Sequence, residues 1–308
     1  MRKIKLVLVF VISGIVFTAC SDTGFKKTKG GMPYKLYPGD GKKIVKKGSY
    51  LKVNLIQKKN DSVLYDSHDK LPIYIPVTDF TRPYDPTELF LQLKSGDSLV
   101  TVQMIDSFMK QNPESIPPFF KKGDRLVTIL KVVDILPDET ASQQDEMKEK
   151  ENLLQREIKT VEDYLSKNKI NARKTGRGTF VETLDPGQGP AVDSGKTAMV
   201  KYKGTTFGGK IFDTNFDSTF GHTDPYPVNI GAHGVIPGLE EGLLTLKQGG
   251  HAKIYIPSML AYGPTPNPGG AIKPFDDLIM EVYVTEVKNQ PPPQTMPNSK
   301  VDTTQRRK

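Results

Sequence analysis

The chain has 308 residues, which favours two domains, and 36% of its residues are hydrophobic, enough to build a core in each. It contains a single cysteine, Cys20, which excludes an internal disulfide and a cysteine metal site. The formal net charge is +8, but the basic residues are dispersed, and no RNA-binding aromatic motif or zinc finger is present, so we do not expect a nucleic-acid partner.

The first twenty residues have the layout of an export signal. Basic residues at positions 2, 3 and 5 precede a short apolar core, and the small residues Thr18 and Ala19 lie directly before Cys20. The apolar stretch is too short to predict a membrane-spanning helix. Residues 1–20 are therefore predicted to be a signal peptide, and residues 21–30, with three lysines, a solvated tether.

The end of this signal resembles a bacterial lipobox, with Phe17 in place of the usual leucine. The resemblance implies that Cys20 is lipidated and becomes the first residue of the mature protein. We then expect a membrane-anchored lipoprotein of the bacterial cell envelope that faces the periplasm. Several acyl chains would make this anchoring durable. An ordinary signal peptide with an incidental cysteine is the alternative.

An internal repeat organises the rest of the chain. Residues 31–67 align without a gap with residues 178–214, and both copies alternate apolar and polar residues as half-buried antiparallel strands do. The matched pairs include Gly48 with Gly195, Val53 with Val200 and Asp66 with Asp213. We predict two copies of one small domain, at 31–138 and 173–288. Chance similarity between β-rich segments is the alternative.

The segment 139–172 between the copies is charged and predicted to be helical. Apolar residues recur there at steps of three and four, namely Met147, Leu154, Ile158, Val161 and Leu165. A helix of about 25–30 residues would span roughly 40 Å, and would either separate the two domains or fold back onto one of them. Its apolar stripe is too short to predict a dimer seam, so the oligomeric state stays open. Residues 289–308 are Pro-rich and polar, which predicts a disordered tail.

Three segments of the second copy carry the motifs of greatest interest. They are Val-Lys-Tyr-Lys-Gly at 200–204, Val-Ile-Pro-Gly-Leu-Glu-Glu-Gly-Leu at 235–243 and Leu-Ala-Tyr-Gly at 260–263. A helix is predicted to begin at Pro237, a favourable first helical residue, and to run to about Leu246. Four leucines are expected to face a sheet, namely Leu239, Leu243, Leu244 and Leu246.

In this order, the motifs resemble the pocket of FK506-binding-protein-type (FKBP-type) peptidyl-prolyl cis–trans isomerases, over about 178–288. The resemblance implies an α+β fold in which an antiparallel sheet wraps around a short helix. Two such FKBP-like domains, joined by a charged helical linker, are expected. In this family the fold carries an isomerase that acts on Xaa–Pro bonds.

The resemblance also implies a set of site residues. The expected catalytic residues are Tyr202, Phe212, Asp213, Ile236 and Tyr262, and the expected substrate-binding residues are Tyr226, Val235, Leu239, Ile272 and Met280. The N–H of Ile236 and the hydroxyl of Tyr262 are expected to donate hydrogen bonds to ligand carbonyls, while the Asp213 carboxylate borders the pocket. Leu239 stands where many members have Trp, and Met280 where Phe is usual, so tight binding of drug-type ligands is not expected.

The chemistry of this reaction explains the apolar site. Rotation about an Xaa–Pro bond meets a barrier of about 18–20 kcal/mol because amide resonance is lost. No nucleophile, metal or cofactor is required, and the histidines lack a paired metal spacing. An apolar cleft favours the twisted amide, which has less charge separation than the planar one. We predict an isomerase that assists folding of exported, proline-containing polypeptides. A non-catalytic chaperone or partner-binding lipoprotein of an envelope complex, which uses this cleft or the first domain, is the alternative.

The first copy lacks most of these features. Leu55 takes the position of Tyr202, and although Tyr65 and Asp66 preserve the aromatic–acidic pair, neither pocket motif follows. The sequence therefore predicts a degenerate, non-catalytic domain. It would bind partners or clients, or act as a spacer.

Overall fold

The computed structural model describes residues 24–79, 82–111, 114, 116–265 and 270–289. The predicted export signal, the proposed lipidation site at Cys20 and residues 290–308 of the predicted tail lie outside these ranges. The chain divides into two compact units, the first running up to Ser67 and continuing over Ile73–Glu139, the second comprising His68–Pro72 and the chain from Thr140 onward. In the part of the chain that is described, no helix combines the length and apolar character needed to span a membrane.

The first unit is built on a seven-stranded antiparallel sheet. Its strands are β1 (Lys26–Lys27), β2 (Pro33–Tyr37), β3 (Tyr50–Lys59), β4 (Ser62–Asp66), β5 (Ile73–Pro76), β6 (Ser98–Met104) and β7 (Arg125–Leu136). They lie in the order β1-β2-β6-β7-β3-β4, and β5 pairs with β3. Strand β6 alternates buried and half-buried residues along its length, as its sequence pattern predicts. Strand β1 lies within the segment predicted to be a tether.

Short helices cover this first sheet. A 3-10 helix, Pro86–Gln92, begins after Asp85, whose carboxylate accepts a hydrogen bond from the Thr87 N–H at 2.9 Å, and buries Leu89 and Phe90. Helix α1 (Ile105–Gln111) follows β6 directly. The fully buried core residues include Met32, Leu51, Val53, Leu93, Leu99 and Val132.

The second unit repeats the same sheet. Its elements are α2 (Glu139–Lys167), β8 (Arg173–Lys174), β9 (Phe180–Asp185), β10 (Lys196–Thr206), β11 (Ile211–Thr214), β12 (Tyr226–Asn229), α3 (Pro237–Leu243), β13 (His251–Ile256) and β14 (Leu278–Asn289). The strand order is β11-β10-β14-β13-β9-β8, and β12 pairs with β10. Read from the other edge, this is the order of the first unit, strand for strand.

The two sheets also share their irregularities. The β3–β7 ladder shifts register between Lys52 and Val53, and the β10–β14 ladder shifts between Met199 and Val200, at the aligned position. A second pair of shifts lies further along β3 and β10, after Gln57 and after Gly204. Two α+β units, each with an antiparallel sheet and short helices, are therefore present as expected.

Helix α2 folds back onto the second unit. Its buried residues Ile158, Val161 and Leu165 pack with Phe180 of β9 and Tyr255 of β13. Packing of the linker helix onto one of the domains is one of the two arrangements that the sequence left open. The apolar stripe is used only in the C-terminal part of the helix, because Met147, predicted on the same face, is exposed.

Helix α3 packs closely on β13 because two glycines face the strand. A Cβ on Gly238 would lie 2.3 Å from Ile256 Cγ2, and one on Gly242 would lie 2.5 Å from Ile254 Cδ1. The helix ends at Leu243 rather than near Leu246. The prediction that Leu244 faces the sheet is wrong: the chain leaves the helix there, and this side chain is exposed.

Candidate active site

A cleft of about 490 Å³ opens in the second unit between β10, β11, β12, α3 and the loop after β13. Nine of the ten residues that the resemblance implied line it: Tyr202, Phe212, Asp213, Tyr226, Val235, Ile236, Leu239, Tyr262 and Met280. The tenth, Ile272, does not line this cleft; it is 3% exposed and belongs to the hydrophobic core. The cleft is thus mainly apolar, with a few polar groups at defined positions.

The floor of the cleft depends on the close approach of secondary structure. Leu239 enters from α3, which its two glycines hold against β13, and Met280 enters from β14, where it pairs with Gly204. A Cβ on Gly204 would lie 2.3 Å from Phe212 Cζ. The glycine therefore lets the Phe212 ring lie directly on β10 and form one wall.

Two polar side chains meet at the β10–β11 wall. The Tyr202 hydroxyl donates a hydrogen bond to Asp213 Oδ2 at 2.6 Å. Burial, and next the bond to Asp213, raise the pKa of the Tyr202 hydroxyl. Tyr202 consequently remains a protonated donor at neutral pH, and its bond fixes the direction of the carboxylate.

His222 completes this group. Its Nε2 lies 2.9 Å from Asp213 Oδ1, and its ring stands 6.3 Å from the Tyr202 ring, centroid to centroid. The sequence analysis assigned no role to His222. Nothing in the local pattern identifies its partner, because the loop 215–225 has to fold before the histidine reaches Asp213.

Two hydrogen-bond donors belong to residues that line the cleft. Among the described residues, none accepts a hydrogen bond from the Tyr262 hydroxyl or from the Ile236 N–H. Burial, followed by the charge of Asp213, raises the pKa of the Tyr262 hydroxyl. Both groups are therefore positioned to donate to a carbonyl oxygen that enters the cleft.

Sequence reasoning missed four residues of the lining, namely Val200, Val228, His233 and Gly234. The two valines lie two residues from Tyr202 on β10 and from Tyr226 on β12. Because side chains two residues apart point to the same face of a strand, this alternation was the signal that would have found them. His233 and Gly234 lie in the turn before α3, where no periodic pattern exists.

The described residues contain no group of three or more His, Cys, Asp and Glu side chains arranged to hold a metal ion. The cleft offers instead an apolar surface, two free donors and an oriented carboxylate. This set can bind an extended peptide by its carbonyls and enclose an apolar ring. It contains no nucleophile activated by a neighbouring base.

Comparison with known proteins places this domain in a family. A family model described as FKBP-type peptidyl-prolyl cis-trans isomerase matches residues 189–285. The FK506-binding protein of Neisseria meningitidis serogroup B is 36% identical over 110 residues, which cover 36% of this chain and 96% of that protein. The isomerase FkpA of Escherichia coli K12 is 35% identical over 127 residues, 41% of this chain.

The chain spans 44% of the length of FkpA in that match. The crystal structure of FkpA from Escherichia coli is also similar, with 31% identity, a TM-score of 0.38, and coverage of 48% of this chain and 67% of that one. Since the match to the Neisseria protein covers nearly all of that relative, the chain belongs, through its second unit, to the family of FKBP-type peptidyl-prolyl cis–trans isomerases.

Proposed function

We propose that the second unit catalyses cis–trans isomerisation of Xaa–Pro bonds in polypeptide clients that bind in the cleft. The observation that supports this most strongly is the convergence of the Tyr262 hydroxyl, the Ile236 N–H and the Tyr202–Asp213 pair around one apolar cavity. The family to which the domain belongs gives the same activity.

The proposed mechanism needs only binding and desolvation. The proline ring enters between the aromatic walls and the floor of Leu239 and Met280, and the two free donors hold carbonyls of the client. The apolar surroundings raise the free energy of the planar, charge-separated amide relative to the twisted one. An acceleration of 10⁴-fold corresponds to a barrier lowered by about 5.5 kcal/mol.

The Asp213 carboxylate has an electrostatic role in this proposal. Tyr202 and His222 hold both of its oxygens, so its position is fixed before the client binds. A carboxylate at the edge of an apolar cleft orients the amide dipole as the bond rotates, and fixed dipoles act strongly where water is excluded. It acts without accepting or releasing a proton.

The proposed clients are exported proteins, and the proposed location is the bacterial cell envelope, with a lipid anchor at Cys20. These proposals rest on the sequence of the first twenty residues. Mass spectrometry of the mature N-terminus tests the anchor. A mass that includes acyl chains on Cys20 supports it, and an unmodified N-terminal cysteine contradicts it.

Activity is tested on the full chain with a peptide that contains a Leu–Pro bond. Tyr262→Phe removes one donor and should lower kcat/KM about tenfold, the value of one hydrogen bond. Asp213→Val should lower kcat/KM further, because it removes the carboxylate and also leaves the Tyr202 hydroxyl without its acceptor. Tyr37→Phe, which alters an exposed tyrosine of the first unit, is the matched control and should leave activity unchanged.

Wild-type activity no higher than the uncatalysed rate would reject the enzyme. If the same protein then suppressed aggregation of an unfolded client, and Tyr262→Phe weakened that effect, a non-catalytic binding role for the cleft would replace the proposal.

A further inference from the structure

The loop that carries Tyr262 is organised around Ser258. A 3-10 turn, Ser258–Leu260, leaves the end of β13 and leads into Tyr262. The carbonyl of Ser258 accepts hydrogen bonds from the N–H of Ala261 at 2.9 Å and of Gly263 at 2.8 Å. These two residues flank Tyr262, so the position of Ser258 fixes the backbone on both sides of the tyrosine.

Two carboxylates from distant parts of the chain hold Ser258 in turn. Its hydroxyl donates to Glu157 Oε1 at 2.5 Å, and its N–H donates to Asp277 Oδ1 at 2.8 Å. The other oxygen of Glu157, Oε2, accepts from the Met259 N–H at 2.9 Å. Glu157 thus binds two consecutive residues of the turn, while Asp277 comes from the segment just before β14.

The position of Glu157 is energetically unfavourable for a carboxylate. It is 9% exposed, on the face of α2 that otherwise buries Leu153, Ile158 and Val161. A carboxylate buried in apolar surroundings is unfavourable unless its oxygens are hydrogen-bonded, and an apolar residue of similar size would often stabilise the fold more. Packing of α2 therefore gives no reason for a carboxylate at this position, whereas the turn that it binds does.

Burial acts on both carboxylates, and the charge of Glu157 acts on Asp277. Burial raises the pKa of Glu157, which its bonds to Ser258 and Met259 and the nearby Arg156 partly oppose. Burial raises the pKa of Asp277 to about 7, and the charges of Glu157 and Asp276 raise it as well. Two like charges beside one serine add to the cost of this arrangement.

We propose that Glu157 is a positioning residue of the isomerase: from α2 it fixes the turn 258–260, and through it the Tyr262 hydroxyl over the cleft. This rests on the proposed function of the cleft. Glu157 does not touch the client; it determines where the hydroxyl that touches the client lies. A misplacement of a catalytic group by about 1 Å is enough to reduce a rate substantially.

The first test compares variants of the full chain in the Leu–Pro peptide assay. Glu157→Ala should lower kcat/KM about tenfold, equivalent to about 1.4 kcal/mol. Glu157→Gln should recover part of that loss, because its amide oxygen still accepts one of the two hydrogen bonds. Glu162→Gln makes the same chemical change at an exposed position of the same helix, where Glu162 pairs with Lys174 at 3.3 Å, and should leave activity unchanged.

A double-mutant cycle separates positioning from general stability. If Glu157 acts through the Tyr262 hydroxyl, Glu157→Ala should have little further effect in a Tyr262→Phe background. An equal loss in both backgrounds would overturn the proposal. Should Glu157→Ala fail to fold, Ser258→Ala, which deletes only the hydroxyl that Glu157 accepts from, replaces it in the cycle.

Amide hydrogen exchange provides a test that does not depend on activity. Glu157→Ala should speed exchange at Ala261 and Gly263, while the paired amides of β10 and β14 stay as protected as in the wild type. Loss of protection across the whole unit, or unchanged protection in the turn, would contradict positioning. If the wild type lacks isomerase activity but the turn alone loosens, the proposed function fails and the structural part of this inference stands.

Discussion

The two units carry the same seven strands in the same order, yet differ in the segments that build the cleft. In the second unit, α3 lies against β13 through Gly238 and Gly242, and the turn after β13 presents Tyr262. In the first unit, a 3-10 helix that buries Leu89 and Phe90 takes the place of α3, and α1 follows β6. The sheet is therefore a common scaffold, and the site belongs to what connects its strands.

The β3 and β10 strands show the same contrast within the sheets. Leu55, at the position of Tyr202, packs partly buried against the first core and has no hydroxyl to hold an acid. Gln57 takes the position of Gly204, so the surface on which the Phe212 ring lies in the second unit is not available in the first. Retention of Tyr65 and Asp66 alone is consequently insufficient for a site.

The largest effect is a loss of stability, and it is expected from a substitution in α3 of the second unit. Gly238→Val would place its side chain against Ile256, which is fully buried. Because overpacking costs about 1–3 kcal/mol, the second unit should lose that much stability in chemical denaturation. Gly208→Val is the control, because the nearest atom to its new Cβ would lie 3.6 Å away. Equal losses for the two variants would show that α3 does not depend on close approach.

A smaller effect, on activity, is expected at Gly204 of β10, against which the Phe212 ring packs. Gly204→Ala should displace the Phe212 ring and lower kcat/KM by about tenfold, or 1.4 kcal/mol, while it changes stability little because the ring can tilt into the cleft. Gln57→Ala, the aligned change in the first unit, should leave activity unaltered. Peptide isomerisation and thermal unfolding, measured together, check this. A stability loss without an activity loss would assign Gly204 to the core instead.

The pH dependence of stability should reveal the raised pKa of Asp277. Burial raises its pKa from 3.8 to about 7, so the folded protein binds this proton more tightly than the unfolded chain does. The resulting stabilisation is complete below about pH 4 and is lost as the pH rises through 7. Asp277→Asn, which keeps an acceptor for Ser258, should therefore exceed the wild type in stability at pH 8 and match it at pH 4. A difference independent of pH in urea denaturation would contradict this assignment.

The smallest effect is expected from a substitution in the first unit, which should not change isomerase activity. Leu55→Tyr restores to the first unit the aromatic residue that the second has as Tyr202. In a background weakened by Asp213→Val and Tyr262→Phe, this change should add no isomerisation to that of the double variant, because the segments that take the place of α3 and of the Tyr262 loop in the first unit carry neither pocket motif. Any activity that depends on Leu55→Tyr would show that the sheet alone can form the site.

Motifs predicted much of the cleft, since Tyr202, Ile236 and Tyr262 each lie in a short segment with a recognisable order. What could not be predicted depends on contacts between segments far apart in the chain. Ile272 was assigned to the lining although it is buried in the core, because the sequence gives no distance from the cleft. Glu157 was one charge among many in a helix, and only the fold brings it to Ser258.

The aligned register shifts of the two sheets have a consequence for the origin of the molecule. A β-bulge inserts a residue into a ladder and bends it locally, so it is a specific event rather than a general property of strands. Two such events recur at matching positions, after Lys52 and Met199 and again after Gln57 and Gly204, in units whose helices have diverged. Gene duplication of one ancestral domain, with later specialisation of the second copy, accounts for both the shared register shifts and the different segments that connect the strands.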